Sequence, residues 1–280
     1  MAQQGPAPAS FLRRVRGWLL SAILRVFLPL AVVAAVVSFI ANRYVDAQLQ
    51  RELTRIRAAG QPAALSDLAK PRVGPTQNAA PIYIREARAL SAVDQQMLSD
   101  FTSRRPDRRA RVSRESVRRL LLQAEDNLAR VRTAAALPAC QFPVNWTAGA
   151  GAQFPHYADA RRLARILRAH ARLCAIDGRR SEAMADVAAI LGIARHVGQE
   201  PVLLASLVEY AIIALARASL ESVLTECSPS PSECRPVTAA LSAMNLRTSF
   251  VSALEGERCF GLSLLECPSS LSPSAAPGGG

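Results

Sequence analysis

The sequence predicts an all-α protein with one N-terminal membrane-spanning helix, and three observations support that prediction. Half of the 280 residues are hydrophobic but only 5% are aromatic, so Ala, Leu, Val and Ile must build the core. That mixture favours helices over sheets. Apolar residues also recur with the 3.6-residue period of a helix through most of the chain. Finally, residues 26–41 form an uncharged apolar run near the N-terminus.

This run becomes long enough to cross a bilayer when it is extended back to Trp18. The extension passes Arg25, whose side chain can snorkel to the headgroups, while Trp18 and Tyr44 lie at aromatic-belt positions. Three basic residues precede the run: Arg13, Arg14 and Arg16. The positive-inside rule then predicts a single-pass protein with a cytoplasmic N-terminus and a periplasmic or extracellular C-terminal domain.

We interpret the span as a retained signal anchor rather than a cleaved signal peptide. Cleavage requires small residues after a short apolar region, and Phe39 and Arg43 fit that pattern poorly. The small residue Ala47 offers an alternative site, but it lies beyond the charge at Arg43.

The chain is expected to divide into five parts. These are a cytoplasmic stub (1–17), the anchor (18–42), a stalk and linker (43–77), a helical domain (78–266) and a disordered, low-complexity tail (267–280). We expect the anchor helix to continue as a stalk to about Ala59, before the helix breakers Gly60 and Pro62.

Within the domain, Asn78 and Ser113 are predicted helix caps. One apolar face runs from Ile82 to Phe101, and residues 137–155 form the longest irregular stretch. Two regular helices, 157–176 and 182–197, are separated at Gly178.

The segment 202–224 is apolar nearly all round but carries Glu209 and Arg217. We interpret it as the buried central helix of the domain rather than a second membrane span. Shorter helices near 236–245 and 249–258 complete about seven in the domain.

The spacing of Cys174, Gly178 and Ala183 between two helices resembles the core of a tetratricopeptide repeat. The resemblance covers about one repeat length; the Trp-Leu-Gly start and closing Pro are absent, and no second copy is evident. The stretch 78–83, Asn-Ala-Ala-Pro-Ile-Tyr, is similar to the domain start of uncharacterised bacterial membrane-anchored helical proteins. The repeat resemblance implies a surface that binds peptides or proteins, and neither resemblance supplies catalytic residues.

The net charge of +12 is concentrated in the N-terminal residues and in residues 104–119. Nucleic-acid binding is disfavoured because the sequence has no zinc-finger spacing, aromatic RNA-stacking motif or basic recognition helix. Burying unpaired charges is costly, so five arginines are predicted to form an exposed patch that contacts an anion or a partner. They are Arg104, Arg105, Arg108, Arg109 and Arg111. A solvated connector between two helices is the alternative.

Six cysteines without a Cys-x-x-Cys motif fit an oxidising compartment. The simplest disulfide set pairs Cys227 with Cys234, Cys259 with Cys267, and Cys140 with Cys174. Free buried thiols that pack as small hydrophobes are the alternative.

Two residue pairs and one single residue are candidates for catalysis or for binding a metal or ligand. His170 and Cys174 are four residues apart, a spacing that suits a shared metal or a base and nucleophile, but equally the apolar face of a helix. His196 and Glu200 have the same spacing, which we interpret as a helix-end interaction. Glu209 is expected to form an ion pair or lie at a rim, with a binding-site acid of raised pKa as the alternative.

The sequence therefore favours a membrane-anchored protein-interaction or scaffold module of the cell envelope, without catalysis, cofactor or metal. One alternative is an enzyme with a site near the 137–155 loop, built from Trp146, His156 and Glu209. The other is a binder of anionic envelope lipid or polymer through residues 104–119.

Overall fold

The computed structural model describes residues 9–69 and 71–266, and all the regular elements in this part of the chain are helices. The chain divides after Gln61 into two units. The predicted tail lies outside the described residues.

The first unit is a single long helix, α1 (Ala9–Ala58). It begins inside the predicted stub and ends at the expected position, just before Gly60, which adopts a positive φ of 69°. Many of its apolar side chains, including Val33, Phe39 and Ile40, are exposed in the protein. By length and composition, two helices could cross a membrane: the Pro29–Ala58 part of α1 and the domain helix Leu203–Glu226.

The second unit contains nine α-helices among the described residues, more than the sequence predicts. They are α2 (Ala80–Ala89), α3 (Gln95–Phe101), α4 (Pro106–Arg109), α5 (Arg114–Ala135), α6 (His156–Ile176), α7 (Arg180–Val197), α8 (Leu203–Glu226), α9 (Pro231–Ser242) and α10 (Leu246–Glu266). The predicted face from Ile82 to Phe101 is divided between α2 and α3. Asp94 caps α3 by accepting from the backbone N–H groups of Gln96 and Met97.

The core centres on α6 and α7, which fold back on each other as the sequence predicts. Gly178 permits the tight turn between them because its φ of 76° lies in the left-handed region. Helix α7 packs against α5, α6, α8 and α9, and most of its side chains are buried. It is therefore the central helix of the domain.

The prediction that α8 is the buried central helix is wrong in part. One face of α8 packs on α6 and α7, burying Ala205, Ile212 and Val223. The opposite face exposes apolar side chains, among them Leu207 and Tyr210. A helix must be buried on all sides only when apolar residues surround it completely. The apolar pattern of α8 is not complete, and α7 already occupies the centre of the domain.

The predicted linker packs against the domain rather than extending away from it. Residues Leu65–Leu68 form a short 3₁₀ helix, and Ala63 and Leu68 are buried. The backbone N–H of Val73 donates to the side-chain oxygen of Gln141 (3.1 Å), which joins the linker to the 137–155 loop.

Candidate functional site

An open cleft of 1330 Å³ lies between α2, the linker and the 137–155 loop. Its walls are mainly apolar and include Val73, Ile84, Phe142, Val144 and Trp146. Small-molecule sites usually occupy about 300–1,000 Å³, so this cleft has room for a larger ligand.

A carboxylate lies on the floor of the cleft at the turn between α7 and α8. Glu200 is 6% exposed, and its Oε2 accepts from the Tyr157 hydroxyl at 2.5 Å and contacts His156 Nε2 at 3.0 Å. Burial and the adjacent Glu200 raise the pKa of Tyr157 well above its usual range, so its hydroxyl stays a donor. Glu200 Oε1 has no hydrogen-bond partner among the described residues, which leaves it available to a ligand.

Aromatic rings hold His156 and Tyr157, the two partners of Glu200, in place. Phe142 stacks on the His156 ring at a centroid distance of 4.1 Å, and Phe154 stacks on Tyr157 at 5.3 Å. Trp146 packs against Phe154 at 6.1 Å, extending the aromatic cluster to the wall of the cleft. These contacts restrict the ring orientations and therefore fix the direction from which Glu200 receives its hydrogen bonds.

The helix-end interaction predicted for His196 and Glu200 is wrong, because the two residues have different partners. Tyr83 donates to His196 Nδ1 at 2.9 Å, while His196 Nε2 donates to the Leu137 carbonyl at 2.8 Å. Burial lowers the pKa of His196 to about 4, so the ring is neutral and can accept from Tyr83. His196 thus anchors the start of the 137–155 loop to α2 and α7.

Side-chain amides fix the same loop on the other side. Asn78 donates to the Gln141 carbonyl (3.2 Å) and accepts from the Gln141 N–H (2.8 Å), and it also accepts from the Ala80 N–H at the start of α2. Gln199 accepts from the Cys140 N–H at 3.1 Å. The predicted helix start is confirmed, but the N-cap position is Ala79 rather than Asn78. Asn78 lies one residue earlier, where its side chain shapes the cleft by holding the loop.

The rim of the cleft is positively charged. Arg72, Arg85 and Arg88 line it and are exposed. Arg85 pairs with the buried Glu86 at 2.7 Å, whereas Arg72 and Arg88 form no ion pair among the described residues. Two arginines are therefore free to contact an acidic ligand.

A second polar cluster, the ion ring, lies between α5, α6 and α7. His170 Nδ1 contacts Asp186 Oδ2 at 2.6 Å, and His170 Nε2 contacts Glu125 Oε2 at 2.8 Å. Arg132 closes the ring by donating to Asp186 Oδ1 (2.8 Å) and Glu125 Oε1 (2.6 Å). Two carboxylates alternate with two cations, so the cluster is neutral when His170 is protonated.

The protonation of His170 follows from these contacts. Burial lowers the pKa of His170, but the hydrogen bond to Asp186 and the neighbouring charges outweigh it and raise the value to about 10. Burial raises the pKa of Glu125, and its contacts with Arg132 and His170 more than offset that effect and lower it. The ring therefore favours a protonated His170 and an ionised Glu125 at neutral pH.

The same residues contain the groups best placed to hold a metal ion. Ligand atoms of Glu125, His170 and Glu182 lie within 4.8 Å of one another, as do those of His170, Cys174 and Asp186. However, Arg132 contacts Glu125 and Asp186, and Arg179 contacts Glu182 at 2.7 Å. The positive charges already neutralise the carboxylates, which makes this cluster a better ion-paired clamp than a cation site.

Cys174 lies beside His170, with its sulfur 3.5 Å from Nδ1, but its side chain is fully buried. Burial raises the pKa of its thiol, and His170 only partly offsets this effect. The nucleophile–base interpretation therefore has no accessible thiolate, and the apolar-face alternative describes Cys174 better.

The described cysteines are free thiols. Cys227 and Cys234 are half-buried, at the end of α8 and inside α9, and the disulfide predicted between them is not formed in this structure. Cys140 lines the cleft whereas Cys174 lies in the ion-ring region, so the pairing predicted for these two does not match their positions. Cys267 lies outside the described residues.

Four of the five predicted patch arginines are exposed, and Arg109 is half-buried. Arg104 pairs with Glu221, and Arg105 pairs with Asp107 at 3.2 Å. Whether the patch contacts an anion stays a prediction. Ser113 lies at the N-cap position of α5 but donates and accepts no capping hydrogen bond there.

The residues proposed for an enzyme site do not all meet. Trp146 lines the cleft and His156 supports its floor, but Glu209 does not line it. Glu209 is 2% exposed and forms no ion pair among the described residues, so the expected ion pair or rim position is wrong. Burial raises the pKa of Glu209 to about 7, although the hydrogen bond with Ser249 acts in the opposite direction.

Sequence reasoning missed Asp186, Glu125 and Arg132 as partners of His170. Asp186 did carry a signal, since it is an acid on the apolar face of α7, between Ala183 and Ile190.

Comparison with protein-family models, curated proteins and solved structures finds no match to this chain.

Proposed function

We propose that this protein is a membrane-anchored binding module whose cleft holds a segment of a partner protein rather than catalysing a reaction. The observation that carries the proposal is the open 1330 Å³ cleft with apolar walls and an arginine rim. Its size exceeds that of a typical small-molecule site, and an extended peptide segment fits an open cleft.

The charges of the cleft select the chemistry of that segment. Arg72 and Arg88 lack carboxylate partners among the described residues, so they favour a segment with an acidic side chain. Apolar side chains of the segment would pack against Ile84, Val144 and Trp146. Glu200 Oε1 would accept a hydrogen bond from a backbone N–H of the same segment.

A matched pair of variants tests this proposal in the full-length chain reconstituted into lipid nanodiscs. A displayed random-peptide library is selected on the wild type and counter-selected on an R72E/R88E variant. An R119E/R161E variant changes the net charge equally at exposed arginines outside the cleft. We expect enriched peptides with acidic and apolar residues that bind the control variant but not R72E/R88E. Enrichment without acidic residues, or equal binding to all three proteins, would refute the cleft as the site.

The cleft also favours a second candidate function, because Glu200 combines a free oxygen with two fixed hydrogen bonds to the other one. Such a carboxylate is suited to act as a general base. Mass spectrometry of the selected peptides distinguishes the candidates: intact peptides after incubation support binding, whereas products formed by the wild type and not by E200Q support catalysis.

We also propose an orientation in the membrane: the N-terminus is cytoplasmic and the domain lies in the periplasm or outside the cell. It rests on Arg13, Arg14 and Arg16 before the apolar run. A reporter that is active only outside the cytoplasm, fused after Gly280, should be active. Activity of a cytoplasm-only reporter at the same junction would contradict this orientation. The repeat-like helical hairpin of α6 and α7 is consistent with a protein-interaction role.

A further inference from the structure

A small second pocket, the arginine pocket, lies where residues 102–104, which follow α3, and the end of α4 approach α6 and α8. It measures 260 Å³ and shares no lining residue with the cleft. Four arginines line it, two from the predicted patch and two from α6: Arg104, Arg109, Arg168 and Arg172. The sequence treats the first two as part of a surface and gives no reason to group them with the others.

The acidic residues of the pocket compensate only half of this charge. Arg104 pairs with Glu221, and Arg172 pairs with Glu226 at 3.0 Å. Arg109 and Arg168 have no carboxylate within ion-pair distance among the described residues. The lining therefore carries an uncompensated charge of about two positive units, given that arginine stays protonated in proteins.

Burial makes this excess charge expensive. Arg172 is 8% exposed, and the Nε atoms of Arg168 and Arg172 are buried without hydrogen-bond partners. Their other nitrogens donate to carbonyls at the end of α3: Arg172 to Phe101 at 2.5 Å, and Arg168 to Thr102 at 2.8 Å. These carbonyls orient both guanidinium groups, but only Arg172 also has a carboxylate partner, so the charge of Arg168 is not neutralised.

The cations also repel one another. Burial, followed by the nearby charges of Arg104 and Arg172, lowers the pKa of Arg168. A protein gains nothing for its own stability from such an arrangement, whereas a bound anion would relieve it. The unneutralised charge thus indicates a missing negative group.

We infer that the arginine pocket binds a phosphoryl group. A phosphate monoester carries about −1.5 to −2 charges at neutral pH, which matches the excess positive charge of the lining. Guanidinium groups bind phosphate oxygens in pairs, and the Ser222 hydroxyl at the pocket wall supplies a further donor. The volume suits a single phosphate better than a whole nucleotide.

Two sources could supply this group: a soluble phosphate or phosphate ester, and the headgroup of a phospholipid. The chemistry in the pocket is the same for both. A membrane-tethered domain meets headgroups at high local concentration, so both sources are tested.

The first experiment measures thermal unfolding of the full-length chain in neutral detergent, with sodium phosphate or with sodium chloride at equal ionic strength. We expect phosphate to raise the Tm in a saturable manner and chloride not to do so. R168Q should weaken phosphate binding about tenfold or more, since it removes a charge-assisted contact. The control is R165Q, at an exposed arginine on the same helix outside the pocket.

A second variant, R109Q, removes the other unpaired arginine at a half-buried position, and it decides the outcome if R168Q does not fold. It should also weaken phosphate binding. The inference is overturned if phosphate stabilises no more than chloride does, or if the folded pocket variants bind phosphate as tightly as the wild type and R165Q.

The second experiment separates the two sources by using nanodiscs of phosphatidylcholine with or without phosphatidic acid. If the headgroup occupies the pocket, phosphatidic acid should raise the Tm, weaken the apparent affinity for added phosphate, and have no effect on R168Q. Equal phosphate affinity in both nanodiscs would assign the pocket to a soluble phosphate. Either result is independent of the cleft, because R72E/R88E leaves the arginine pocket intact.

Discussion

His170 Nδ1 and Asp186 Oδ2 lie 2.6 Å apart inside the domain, with His170 1% exposed and Asp186 fully buried. This contact joins α6 to α7 at the centre of the ion ring. Asp186 also receives a hydrogen bond from Arg132 on α5, so one carboxylate fixes three helices.

Asp186→Asn should therefore destabilise the domain by about 3–5 kcal/mol, because it leaves the two buried cations Arg132 and His170 with the single carboxylate of Glu125. The measurement is chemical denaturation at pH 7. Glu182→Gln on the same helix is the matched control: its pair with Arg179 is half-exposed and should contribute about 0–1 kcal/mol. Similar losses in both variants would contradict a buried clamp.

The ion ring also predicts how stability depends on pH. The pKa of His170 is about 10 in the folded protein and about 6.5 in the unfolded chain. The folded state holds the His170 proton more tightly than the unfolded chain does. The stabilisation that protonated His170 contributes is therefore fully present below pH 6.5 and disappears as the pH rises towards 10. The unfolding free energy should fall by at most about 1.4 kcal/mol per pH unit in that window. His170→Gln should lack this slope, and a slope that persists in the variant would assign it to another group.

Glu209 predicts a stabilising substitution. Its pKa is about 7 in the folded protein, and its carboxylate lies so near Gly198 that an added Cβ there would come within 2.3 Å of it. The folded state binds the Glu209 proton more tightly than the unfolded chain does. The unfolding free energy is therefore unaffected by this group below pH 4.5 and falls as the pH rises to 7. Glu209→Gln should raise the Tm at pH 8 and change it little at pH 4. An equal change at both pH values would indicate an effect of packing.

The close contact between α5 and α7 leaves no room for a side chain at Gly192. A Cβ at this position would lie 2.5 Å from the Ala135 carbonyl oxygen and 2.9 Å from its Cβ. Both helices are fixed in the core, so Gly192→Ala should cost about 1–3 kcal/mol in unfolding free energy despite the higher helix propensity of Ala. Gly74→Ala, where nothing lies within 4 Å, is the control and should be nearly neutral. A stabilised G192A protein would show that the two helices separate easily.

The sequence by itself determined the all-helical class, the long first helix and many of the residues that face inward, although not those of α8. Apolar spacing predicted the hairpin of α6 and α7, and Gly60 marked the end of α1, because each of these signals is local to one helix. Local signals also predicted the helix start next to Asn78, although they did not show its contact with Gln141, 63 residues away.

Only the tertiary structure decided which inward faces meet. Glu200 pairs with His156, 44 residues away, rather than with His196, which lies only four residues before it. His170 finds Asp186 on α7, and Arg168 joins Arg104 in one pocket from a separate helix. Helical periodicity predicts the direction of a side chain from its own axis, but not the rotation and position of the neighbouring helix. Those depend on how all the faces pack together, and for that reason the cleft, the ion ring and the arginine pocket emerge only in the folded domain.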